Sequence, residues 1–138
     1  MTKRDAHFMS TTLVVDDLEK CATFYKAVFG LTEVAKLGAQ IAGRDFTEIL
    51  FNFRGEGPAT FVLLEYAEGP KPAIGEALNV FSTEDVAGFV ERAVQHGGII
   101  VDAPLYNADY GVTSAFLKDV EGHLFGVVEL PASAVQAH

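Results

Sequence analysis

Few side chains in this sequence could carry acid–base, nucleophilic or metal chemistry. It holds 4 histidines, 1 cysteine and 19 acidic residues in 138. Two acids stand out by placement: Glu65 closes the apolar run TFVLLEY and Glu129 closes LFGVVEL, so each carboxylate falls at a strand end. There it is either paired, solvated or aimed into a site. His7 lies three residues from Ser10, an odd step that turns it to the opposite face of a regular strand, so bringing both to one site would need a bulge. His96 falls in the last turn of a helical pattern, where a cation complements the dipole, and His123 follows Gly122 in a turn. Both read as structural, and His138 is terminal. Cys21 has no second cysteine to pair with and occupies an apolar helical position, as a small core residue does. There is no GxSxG, phosphate-binding glycine loop or HExxH, and Arg54-Gly55-Glu56-Gly57 suits a hairpin turn better than a phosphate cradle.

Composition narrows the partners. Ten basic against 19 acidic residues give a net charge of −9, which repels phosphate and argues against nucleic acid and anionic membrane surfaces. It is compatible with a cationic ligand and with simple solubility. The 49% hydrophobic and 21% charged content suits one globular domain, and no run approaches the ~20 apolar residues of a membrane span. MTKRDAH is charged and is not followed by an apolar signal core, so a cytoplasmic location is expected. Eleven phenylalanines and no tryptophan fit a large apolar interior or an apolar pocket equally well.

The elements that position these residues repeat. STTLVVDDLEKCATFYKAVFGL and LNVFSTEDVAGFVERAVQHGGIIV each read as strand, acidic helix start, amphipathic helix and glycine exit; Asp17 and Asp85 are 68 residues apart, as are Gly30 and Gly98. The first helix is expected to start with Asp16 as N-cap and Glu19 completing a capping box, and to bury Leu18, Cys21, Ala22, Tyr25 and Val28 or Phe29. The second runs from Asp85 to His96 and buries Val86, Phe89, Val90 and Ala93. Strands are expected at 8–15, 31–37, 45–53, 60–66, 77–83, 98–102, 112–118 and 124–130. Period two places Phe46, Glu48, Leu50 and Asn52 opposite Thr47, Ile49, Phe51 and Phe53. Gly38–Gly43 reads as a turn, APLYNADYG as a loop carrying Tyr106 and Tyr110, and the tail ASAVQAH as a frayed end. AEGPKPAIGE, at 67–76, is the linker between modules of about 8–66 and 77–130. The class is therefore α+β: two βαβββ modules, strands antiparallel within each, helices on one sheet face.

VVDDLEKCATFYKAVFGL, STEDVAGFVERAVQHGG and DVEGHLFGVVEL resemble the vicinal oxygen chelate superfamily, which includes glyoxalase I, extradiol dioxygenases and bleomycin-resistance proteins. The resemblance covers roughly residues 8–130 and implies a cupped mixed β-sheet with one metal ligand from each of the first, fourth, fifth and eighth strands. Those positions fall on Ser10, Glu65, Leu78 and Glu129. Half the set is thus missing: leucine contributes no ligand, and neither Ser10 nor Leu78 supplies the imidazole of an iron, zinc or nickel site. An extradiol dioxygenase is not expected. Two carboxylates with a hydroxyl could hold Mg²⁺ or Mn²⁺ weakly.

The resemblance implies two functions. In the first, the protein binds a small, largely apolar organic molecule in the cup without the family metal or any other cofactor. Ser10, Thr12, Glu65 and Glu129 supply polar contacts there, Phe61, Leu63, Leu78 and Val127 supply walls, and Tyr106 and Tyr110 overhang the site. In the alternative, a divalent ion held by Glu65 and Glu129 serves a lyase or isomerase of glyoxalase I type, and the two carboxylates move the proton. A homodimer is expected in either case. A ligand-free dimeric scaffold is the third reading.

Overall fold

The computed structural model describes residues 4–131, so the tail 132–138 lies outside the described residues. The order is β1 (Thr11–Val14), α1 (Leu18–Phe29), β2 (Thr32–Ile41), β3 (Arg44–Asn52), β4 (Phe61–Tyr66), β5 (Asn79–Ser82), α2 (Val86–Gln95), β6 (Ile99–Asn107), β7 (Val112–Lys118) and β8 (Leu124–Glu129). This is βαβββ twice. Two four-stranded sheets result, ordered β1-β4-β3-β2 and β5-β8-β7-β6. The antiparallel expectation fails at one pair in each: β1 runs parallel to β4, and β5 to β8. After the helix the chain resumes at the far edge of the sheet and meanders back through two antiparallel hairpins, which brings β4 and β8 alongside the first strand in its own direction.

The chain divides into two compact units. One runs through Ala22 and resumes at Phe29–Pro72; the other comprises Thr23–Val28 and continues from Ala73. In the first unit the interior is built on Ile49, Phe51, Phe61 and Leu63, each no more than 1% exposed. In the second, Phe125 takes edge-on contacts from the rings of Phe24, Phe81 and Phe89, with centroids 6.0–6.4 Å apart. Phe24, Phe51, Phe61, Phe89 and Phe125 are buried in these interiors, and Phe81 is half-buried. Cys21 is fully buried, as its position in the helical stripe required.

Three local features differ from the sequence reading. The first N-cap is Asp17, not Asp16: its Oδ1 accepts from Lys20 N–H at 3.1 Å, as Asp85 Oδ1 accepts from Gly88 N–H at 3.1 Å. The duplicated register overrides the capping-box spacing, and Glu19 instead pairs with Lys36 at 2.6 Å. β2 continues through Gly38 to Ile41 and turns on Ala42 and Gly43, both left-handed at φ 51° and 79°, the demand of a two-residue hairpin. Finally, β6 extends to Asn107, so Tyr106 lies on a strand, while Tyr110 lies in the turn that Gly111 N–H closes on Asn107 O at 2.8 Å.

Candidate functional site

The placement of Glu65 follows from the β1–β4–β3 register. Paired residues in adjacent strands project to the same face, and alternate residues to opposite faces. Phe61, Leu63 and Glu65 therefore share a face with Thr11 and Leu13 of β1 and with Thr47, Ile49 and Phe51 of β3. Thr12 and Val14 share the other face with Val62 and Leu64, and Ser10 continues that alternation. Glu65 and Ser10 thus stand on opposite faces of one sheet. Glu65 Oε1 accepts a hydrogen bond from the backbone N–H of Leu18, the first residue of α1, at 3.2 Å. The unsatisfied amides and the positive end of the helix dipole both favour an anion there. Lys36 completes the cluster. Its ammonium is held above the usual lysine value by the hydrogen bond and charge of Glu19, with Glu33 and Glu65 contributing.

The second module repeats the arrangement. Phe125, Val127 and Glu129 share a face with Asn79 and Phe81, and Glu129 Oε1 accepts from the N–H of Val86, the first residue of α2, at 3.1 Å. Leu78 continues the alternation of Val80 and Ser82, which lie on the opposite face with Gly126 and Val128. Each glutamate therefore satisfies a helix N-terminus beside an aspartate N-cap. Strand parity at β4 and β8 decides this, and counting along the sequence alone does not reveal it.

For the same reason the proposed walls Phe61, Leu63 and Val127 lie within the core on the glutamate faces, 1%, 0% and 0% exposed, each on the face opposite to that of Ser10 and Thr12 or of Leu78. Tyr106 and Tyr110 are 63% and 76% exposed. They stand free of any enclosure that their own hairpin provides. Ser10 is half-buried, Thr12 exposed, and Leu78 exposed.

Two things escaped the sequence reading. On the Ser10 and Thr12 face, β3 contributes Glu48, half-buried and flanked by Leu37 and Leu64 in the register; the alternation had already put it with Phe46 and Leu50, but no motif marked it. The second is His123, expected to be a turn residue. It is buried, with Nδ1 2.9 Å from both Asp119 oxygens, and Asp119 also accepts from Tyr25 Oη at 2.7 Å and from the backbone N–H groups of Glu121 and His123 at 2.9 and 3.0 Å. Burial alone would raise the Asp119 carboxyl. The hydrogen bonds from His123 and Tyr25, the His123 charge and the Glu121 N–H outweigh it and hold Asp119 below the usual carboxylate range. With every lone pair engaged, this cluster secures the β7–β8 turn and is poorly suited to proton transfer.

A family model described as the Glyoxalase/Bleomycin resistance protein/Dioxygenase superfamily matches residues 6–127. The chain belongs to this superfamily. Among relatives of this superfamily member, a lactoylglutathione lyase of Arabidopsis thaliana is 32% identical over an alignment of 135 residues that covers 92% of this chain and 45% of that protein. The chain thus spans less than half the length of that relative. A glyoxalase family protein from Bacillus cereus superimposes with a TM-score of 0.78 at 18% identity, covering 95% of this chain and 99% of the other. A glyoxalase I variant from Zea mays gives 0.76 at 21% identity, covering 94% and 48%. These likenesses bear out the glyoxalase-type α+β fold.

A superfamily-type divalent metal does not fit the donors present. The faces that carry Ser10 and Leu78 offer Val62 and Leu64 from β4, and Gly126 and Val128 from β8; the β4 and β8 carboxylates are on the other faces. Among the described residues, no group of three or more His, Cys, Asp or Glu side chains is placed to hold an ion. No described helix is long and apolar enough to cross a membrane.

Proposed function

We propose that this superfamily member binds a small, largely apolar organic molecule on the sheet face that carries Ser10 and Thr12, without a resident metal. The observation that supports this is the commitment of Glu65 and Glu129 to the N–H groups of Leu18 and Val86. With the two acids engaged there, the β1–β4–β3 register leaves Glu48 as the carboxylate on the Ser10 and Thr12 face, among apolar and hydroxyl side chains, a set suited to binding rather than to divalent-ion ligation. We place the protein in the cytoplasm as a homodimer. Exposed Leu78 and Val80, at 47% and 56%, support such an association, and sedimentation of a monomer at micromolar concentration would remove it.

The test is a thermal melt of chelator-treated protein with and without Mg²⁺, Mn²⁺, Ni²⁺ or Zn²⁺. A bound ion at a hundred times its dissociation constant stabilises by about 2.7 kcal/mol, a shift of several degrees. The reading expects no such shift, together with saturable binding of an uncharged apolar probe such as 1-naphthalenemethanol. A metal-specific rise that disappears in Glu65→Gln and in Glu129→Gln overturns it. That result would favour the second reading, a metal-dependent lyase, which the 32% identity to a lactoylglutathione lyase supports. Turnover of lactoylglutathione would then be the direct assay.

A further inference from the structure

Glu48 is an anomaly on its face. It sits on β3, the strand between β2 and β4, paired with Leu37 on one side and Leu64 on the other, with Leu50 two residues along and Val62 diagonal to it. Leu64 and Val62 are buried, and Glu48 itself is half-buried. Among the described residues its carboxylate makes no hydrogen bond or ion pair, unlike those of Glu19, Glu65 and Glu129. A cation from its own strand does not reach it. Arg44, four residues back on the same face, is stacked 3.6 Å from the centre of the Tyr66 ring and donates to Glu68 O at 3.3 Å. The duplicated module contains no acid at the matching place: Glu48 pairs with Leu64, and the residue that pairs with Val128, 64 positions on from Leu64, is Ser114. The carboxylate is therefore not a requirement of the βαβββ framework. With no donor beside it among the described residues, the carboxylate can receive one from a molecule outside the chain.

We infer that Glu48 is the anchor that selects the ligand: an apolar molecule bearing a protonated amine, whose N–H groups are received by this carboxylate while its body lies on exposed Leu37 and half-buried Leu50. The net charge of −9 acts in the same direction by attracting cations to the protein. This assignment rests on the small-molecule reading above and adds the charge and donor chemistry of the ligand.

The experiment uses three matched probes, 1-naphthylmethylammonium, 1-naphthalenemethanol and 1-naphthoate, with affinities from calorimetry on the full chain at low salt. The ammonium should bind about tenfold or more tighter than the alcohol, the size of a charge-assisted hydrogen bond, and the carboxylate weakest. Glu48→Gln should erase the ammonium's preference over the alcohol. If the alcohol binds but the wild-type protein shows no preference for the ammonium, or if Glu48→Gln retains the preference, the anchor role is overturned while small-molecule binding stands. If none of the probes binds, both fall. The wild-type comparison across probes involves no substitution, so it decides the matter even if Glu48→Gln fails to fold.

Discussion

Replacing Glu65 should cost stability and spare binding. Its Oε1 receives the Leu18 N–H at 3.2 Å at the first turn of α1, from a half-buried side chain. Glu65→Ala removes both the hydrogen bond and the charge at the helix N-terminus. Lost capping bonds cost about 1 kcal/mol, and the charge–dipole interaction adds roughly 0.3–1 kcal/mol. The sum is about 1–2 kcal/mol, a fall in melting temperature of roughly 3–6 °C for a chain of this size. Glu65→Gln keeps an oxygen that can accept from Leu18 and loses only the charge, so its fall should be roughly 1–3 °C. Glu129→Ala and Glu129→Gln should reproduce the pair of values at α2, where the bond from Val86 is 3.1 Å. The assay is calorimetry at pH 7 in low salt, with 1-naphthalenemethanol affinity measured on the same samples. An Ala variant that melts with the wild type yet loses tenfold in affinity would refute the capping assignment and return these carboxylates to a ligand site.

Other consequences follow from the same structure. Asp119→Ala leaves the Tyr25 hydroxyl, the His123 ring and two backbone N–H groups without their acceptor, and should cost about 3–5 kcal/mol in urea titration; Tyr25→Phe should cost about 1–2 kcal/mol. Because the folded Asp119 carboxyl titrates below its unfolded value, its contribution is complete above that unfolded value, near pH 4, and is lost as pH falls through the folded one. Stability should therefore drop on acidification below about pH 4, and less steeply in Asp119→Asn; equal slopes would contradict this. Ala42→Gly relieves a non-glycine residue at φ 51° and should stabilise by about 0.5 kcal/mol, measured as a higher urea midpoint at unchanged slope.

The duplicated pattern, the helix stripes and the apolar strands were legible in the sequence, because each depends on local period and spacing. The 68-residue repeat placed both helix starts correctly, and the structure moved the first cap by only one residue, to Asp17. The resemblance carried by VVDDLEKCATFYKAVFGL and DVEGHLFGVVEL led to the superfamily that the matched model shows. Alternation within β3 even set Glu48 apart from Ile49 and Phe51. The site was decided by something else. Which face of β4 lies alongside Ser10 depends on the parallel β1–β4 register, a long-range pairing that no local pattern fixes, and a one-residue difference in register exchanges every side chain between faces. That register sent Glu65 and Glu129 to the helix N-termini, buried Phe61, Leu63 and Val127 in the core, and left Glu48 among leucines. The sequence determined which elements form and in what order; only the tertiary pairing of the strands determined that Glu65 and Glu129 hold helix N-termini while Glu48 stands on the opposite face from Glu65.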